Sequence, residues 1–149
     1  MRYRARCGSA RKNWPECKWV ELLGILHRET AWNFLVVGGE AEGQGLERLF
    51  GLLPPPRSRL ARSLGLGALA EELASCDAFL GHDSGISHLA AALALPSLVL
   101  WGPSVEAVWR PPGNHVTVLK VPEGLPSLPV ELVVECLQGL VGGLGLVMG

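Results

Sequence analysis

Leu80-Gly81-His82-Asp83-Ser84-Gly85-Ile86-Ser87-His88-Leu89-Ala90-Ala91-Ala92 is the stretch that decides the fold. Cys76 to Leu80 leads into it as a short buried-strand candidate, and Gly81 to Gly85 reads as a turn. Ile86 to Ala94 is helical by its Ala and Leu content, and Pro96 stops it because the residue before a proline is pushed out of the helical region. Ser97 to Trp101 then supplies another apolar run, closed by the turn Gly102-Pro103-Ser104. A strand, a tight turn, a helix and a further strand form the repeating unit of a parallel sheet.

The same alternation continues on both sides. Trp19, Leu22, Leu23 and Leu26 recur at helical spacing, and Pro15 sits where a first-turn proline is tolerated, so a helix is predicted from about Pro15 to Glu29. Phe34-Leu35-Val36-Val37 is continuously apolar, as strands buried on both faces are, and Gly38-Gly39 closes it. Leu46, Leu49 and Phe50 suggest a short helix, and Pro54-Pro55-Pro56 with Arg57-Ser58-Arg59 reads as a stiff polar break. Leu69 and Leu73 mark a helix ending near Ser75, His115 to Leu119 a strand, and Pro129 to Leu140 a last helix. The glycine-rich apolar tail from Gly139 to Gly149 is too short to span a bilayer and is expected to be a frayed or docked end. The fold class is therefore α/β, a Rossmann-like, mainly parallel sheet with helices on both faces, with residues 1–149 as a single domain.

Composition agrees. The chain has 149 residues, 48% hydrophobic and 18% charged, enough to bury one core and unlike a disordered chain. Lys and Arg number 13 against 14 Asp and Glu, so there is no basic surplus for nucleic acid. Six of the basic residues crowd into the first eighteen positions, but no apolar run follows them as in a secretory signal, and a soluble, cytoplasmic protein is expected. Cys7, Cys17, Cys76 and Cys136 form no CxxC pair and share no ligand spacing with the histidines, which predicts free thiols and no zinc site.

Ligands of open parallel sheets bind beyond the carboxyl ends of the strands. Three turns qualify here, after Val37, Leu80 and Trp101, and the second carries the most chemistry. Asp83 or Ser84 can cap the helix that follows, Gly85 lets a ligand approach the backbone, and the free amides with the helix dipole make an anion site. His88, one turn into the helix, is a further donor for the same phosphate. Glu40 is placed to accept from ribose hydroxyls, and Lys12, in Gly8-Ser9-Ala10-Arg11-Lys12-Asn13-Trp14-Pro15, to neutralise phosphate charge. Each of these residues also has a plain structural role open to it: Asp-Ser-Gly is a common cap, a lone Glu is usually solvated, and Trp14 and Trp101 are core residues by default.

Their order is more telling. Lys12-Asn13-Trp14-Pro15, Val36-Val37-Gly38-Gly39-Glu40, Leu80 to Ala92 and Leu100-Trp101-Gly102-Pro103-Ser104 together resemble the C-terminal half of the bacterial heptosyltransferases of glycosyltransferase family nine. The resemblance implies the C-terminal domain of a GT-B protein, which holds a nucleotide-sugar donor, ADP-heptose, for lipopolysaccharide core synthesis at the inner face of the inner membrane. It implies transfer with inversion and no required metal. It also assigns the donor site to Ser9, Lys12, Glu40, Asp83, Ser84, Gly85 and His88. The family's His-Pro-Gly-Ser-Gly segment is replaced by Arg4-Ala5-Arg6-Cys7-Gly8 with no apolar strand before it. The half that binds the lipopolysaccharide acceptor and supplies the carboxylate base has no counterpart here, so no catalytic residue is assigned. The alternatives are a non-catalytic sugar-nucleotide-binding module, a degenerate remnant and, more weakly, a nucleotide-sugar epimerase of the same shape. An exposed apolar interdomain face would favour a partner chain or a homo-oligomer.

Overall fold

Alternation within the two most apolar strands builds three layers. In a computed structural model describing residues 13–38, 47–48, 50–51, 53, 57–141 and 146–148, strand β1 (Phe34–Gly38) is buried along its whole length. Phe34 and Val36 face one core, with Trp19, Leu22 and Leu26 of helix α1 (Glu16–Glu29) and Val133 and Leu137 of helix α5 (Val130–Val141). Leu35 and Val37 face the other, with Leu73 of α2 (Leu66–Ala74) and Ala90 of α3 (Gly85–Ala92). Strand β4 (Ser97–Leu100) splits likewise, Leu98 and Leu100 to the first face and Val99 with Trp101 to the second. A period of two through a sheet covered on both sides turns a continuous apolar run into two half-cores.

The sheet is completed by β2 (Ser58–Arg62), β3 (Phe79–His82), β5 (Val116–Leu119) and β6 (Leu146–Met148), in the order β2-β1-β6-β3-β4-β5, with every pair parallel. A four-residue helix α4 (Glu106–Trp109) follows β4, and a 3-10 turn at Leu125–Ser127 precedes α5. The doubly wound order in sequence numbering is 3-2-1-4-5-6. Here the last strand occupies the place of the first. Leu146 and Val147 pair with Phe34 and Leu35, and Val147 and Met148 with Phe79 and Leu80. The tail is thus a docked strand in the middle of the sheet.

Strand β2 begins inside the stretch read as a polar break, at Ser58, and runs on to Arg62. Its burial alternates weakly because it is an edge strand, with Arg59 paired to Glu72 and Arg62 to Glu47 on the solvent side. Arg57, just before it, closes the end of α1. It donates from Nη2 to the carbonyls of Thr30 and Trp32, both at 2.8 Å, and from Nη1 to that of His27 at 3.2 Å, and it lies 5.8 Å from the Phe34 ring centre. A helix that lacks a glycine after its last turn must satisfy its final carbonyls in some other way. Arg57→Ala is expected to destabilise the chain by about 2 kcal/mol in urea unfolding, with Arg57→Lys recovering less than half because an ammonium cannot fork. Equal stability of Ala and Lys variants would remove the geometric argument.

One expectation is corrected outright. Cys17 is disulfide-bonded, whereas Cys76 and Cys136 are free with thiols held protonated by burial. Absence of a CxxC spacing excludes a local motif and says nothing about contact through space.

Candidate functional site

The carboxyl ends of β1 and β3 flank β6, and the turn after β3 enters α3 through a capping box of Ser84 and Ser87. Ser84 is extended (φ −159°, ψ 170°), and its carbonyl takes the first helical bond from the His88 amide at 3.4 Å. The turn is held by Ser87, which is fully buried. Its hydroxyl donates to the Ser84 carbonyl at 2.6 Å and accepts from the Ser84 amide at 3.2 Å. The Ser84 hydroxyl faces the Ser87 amide in a capping box, is buried, and finds no acceptor for its own proton. A buried hydroxyl proton left unpaired beside the free amides of a helix start is a site short of an acceptor. An anion supplies one.

Gly85 opens α3 on the exposed side. A Cβ built there meets nothing within 4 Å, and its backbone is not left-handed, so the protein's own packing does not require a glycine. Asp83 is half-buried beside Ser84. His88 is exposed, and its Nε2 lies 3.0 Å from the Trp109 carbonyl, which ties α3 to α4 and leaves Nδ1 as the free ring atom. Ser9, Lys12 and Glu40 lie outside the described residues.

His82, the last residue of β3, was passed over in sequence as part of the turn. Its Nε2 accepts from the Trp14 amide at 3.0 Å, and its ring stands edge-on to Trp19 at 5.5 Å. Burial pushes its pKa down to about 4, so the ring is neutral with its proton on Nδ1. The Trp14 indole donates to the Leu128 carbonyl at 3.0 Å, and Lys18 donates to the carbonyls of Pro126 and Leu128 at 2.7 and 2.8 Å. The chain entering α1 is therefore fastened both to the end of β3 and to the loop before α5. No spacing rule exposes His82. Ser87 was legible as the third helical residue after Ser84, the position from which a side chain bonds back to the cap.

Two cavities lie away from this turn. One of about 200 Å³ sits among Asn33, Arg57 and Cys76 at the amino ends of β1 and β2, and one of about 570 Å³ lies between α4 and Gly113. Among the described residues no group of three His, Cys, Asp or Glu is arranged to hold a metal.

Known proteins fall on the same frame. The description "Glycosyltransferase family 9 (heptosyltransferase)" matches residues 4–135. The chain belongs to glycosyltransferase family 9. Lipopolysaccharide heptosyltransferase 1 of Escherichia coli K12 is 30% identical to this family 9 chain over 133 residues, which are 87% of the chain and 40% of that enzyme. The Pseudomonas aeruginosa PAO1 protein of the same name is 37% identical over 94 residues, 62% of the chain and 26% of that protein. Among solved structures, E. coli heptosyltransferase WaaC with ADP superposes with a TM-score of 0.76 at 26% identity, covering 88% of the chain and 41% of WaaC. E. coli ADP-heptose heptosyltransferase II, at 24% identity, gives a TM-score of 0.78 over 91% of the chain and 44% of its own length. The fold expected of a GT-B C-terminal domain stands, and the match is to the C-terminal half. The family 9 chain spans less than half the length of these relatives. No helix among its described residues is long and apolar enough to cross a membrane.

Proposed function

We propose that this family 9 chain is the donor-binding half of a heptosyltransferase that takes ADP-heptose for lipopolysaccharide core synthesis, and that it folds as one domain. The observation that carries the reading is the buried Ser84 hydroxyl at the start of α3, whose own proton finds no acceptor, beside a glycine the fold itself does not need. The diphosphate oxygens accept from that hydroxyl and from the amides of Gly85 and Ile86. Asp83 and His88 meet the sugar and phosphate edge, and Glu40 the ribose. Ser9 and Lys12 approach the diphosphate from the segment that precedes α1. A cation and a helix N-terminus stabilise the charge that grows on a departing nucleoside diphosphate, work for which other enzymes recruit a divalent ion. WaaC in complex with ADP, and WaaC with ADP-2-deoxy-2-fluoro heptose at 27% identity, support the choice of nucleotide.

The carboxyl edge also favours a partner. Leu64 and Leu66 follow β2, and Val105, Val108 and Trp109 follow β4. All five are exposed, Leu66 at 73% and Trp109 at 57%. An apolar rim around a ligand crevice suits a facing domain that holds the lipopolysaccharide acceptor and supplies the base. Sugar transfer is then expected only when such a half is present, at the inner face of the membrane. A binding module without transfer is the second reading. Following ADP release from ADP-heptose with a deep-rough acceptor, with and without an N-terminal half, separates the two.

Calorimetry with ADP and adenosine tests the site. Lys12→Ala is expected to weaken ADP by about 1 to 3 kcal/mol and adenosine by much less, since only ADP carries the charge. Equal losses would take Lys12 out of the phosphate site.

A further inference from the structure

We infer that His82 is a positioning residue for the diphosphate site, locking the exit of β3 to the entry of α1 so that the amide-bearing turn that follows it is held in place. The inference rests on the reading of the α3 turn as that site. Three observations lead to it.

The link is long in sequence and short in space: His82 Nε2 lies 3.0 Å from the amide of Trp14, 68 positions away. That amide precedes α1, which begins at Glu16, so no helical carbonyl is available to it, and Trp14 is only 2% exposed. Without an acceptor at position 82 the amide would be a buried donor left unpaired.

The choice of side chain is also specific. Leu80 and His82 share the β3 face that packs on α1, where an aliphatic residue at 82 would serve the packing equally well. An imidazole adds one thing, a lone pair on the inward ring atom, and burial keeps the ring neutral so that the lone pair stays available.

The position of the link completes the case. Asp83 and Ser84 follow His82 directly, and Trp14 stands two residues before α1. Fixing His82 to Trp14 therefore fixes the amide-bearing turn relative to the start of α1. A diphosphate held by that turn is sensitive to its placement, and a nucleoside without phosphates is not.

The test compares wild type, His82→Leu and His82→Gln, titrated with ADP and with adenosine near neutral pH, with unfolding curves for each. Gln carries a carbonyl able to accept from the Trp14 amide, and Leu has none. The expected result is about a tenfold loss of ADP affinity in the Leu variant, adenosine affinity changed by less than about twofold, and most of the ADP loss recovered in the Gln variant. A merely structural histidine would weaken both ligands together, and that outcome overturns the inference, as does a folded Leu variant with unchanged ADP affinity. Should the Leu variant not fold, the nitrogen resonance of His82 Nε2 in wild type decides: it is expected to shift with ADP and stay with adenosine, and no shift with bound ADP overturns the proposal. Wild type that binds ADP no better than adenosine would instead remove the reading of the turn, and the inference with it.

Discussion

Gly85→Val is expected to abolish ADP binding, a loss of about a hundredfold or more, while the melting temperature changes by only a few degrees. The two effects separate because nothing in the protein lies within 4 Å of the added Cβ and the backbone there is not left-handed. Valine is a slightly better helix residue than glycine, so stability holds or rises by a few tenths of a kcal/mol. The branched side chain instead stands over the amides of the first turn of α3, where phosphate oxygens would lie. Each charge-assisted bond lost there is worth about 1.5 to 3 kcal/mol. Gly85→Ala should fall between wild type and valine. Calorimetry and thermal melts on the three proteins are sufficient, and undiminished ADP affinity in the valine variant would move the ligand elsewhere.

Acidification is expected to cost the fold on the order of 3 kcal/mol through His82. Burial lowers its pKa from 6.5 to about 4 in the folded chain. Between those values the unfolded chain binds a proton that the folded chain refuses, so stability rises with pH across the window. The contribution is complete above about pH 6.5 and is lost as the pH falls towards about 4. Protonation also turns the acceptor of the Trp14 amide into a second donor facing the first. Urea unfolding of wild type and His82→Gln from neutrality to about pH 4 isolates this group from the acid-labile carboxylates. Parallel curves would show that the ring is not buried and neutral as described.

Elements whose own residues declare their surroundings were legible in the sequence. Phe34 to Val37 is apolar because both faces of β1 are covered, and the β3 turn shows itself by Asp-Ser-Gly between an apolar run and a run of alanines. β2 was hidden because an edge strand with Arg59 and Arg62 facing water has too little apolar residue content to show a period. β6 was hidden for a different reason: three apolar residues in a glycine-rich tail carry no information about which strands will pair with them. In the site, Asp83, Ser84, Gly85 and His88 occupy one turn and the start of one helix, as expected, although the free nitrogen of His88 is the one not engaged by Trp109. Ser87 is legible only through its place three residues after Ser84, the capping-box position, whereas the role of His82 lies in a bond to a backbone amide and leaves no trace in residue spacing.

The placement of β6 also sets the order in which the fold can be completed. During synthesis β1 and β3 emerge long before Leu146–Met148, the strand that joins them, so two parallel edges wait unpaired while the intervening helices are made. Contacts of such large sequence separation carry the greatest loop-closure entropy and make for slow folding. Until the last strand arrives, β2-β1 and β3-β4-β5 are separate ribbons, each able to recruit a foreign strand at its open side. Aggregation of nascent chain should therefore depend far more on residues 146–148 than three positions in a tail would suggest, and the seam between β1 and β3 is the last part of the sheet to close.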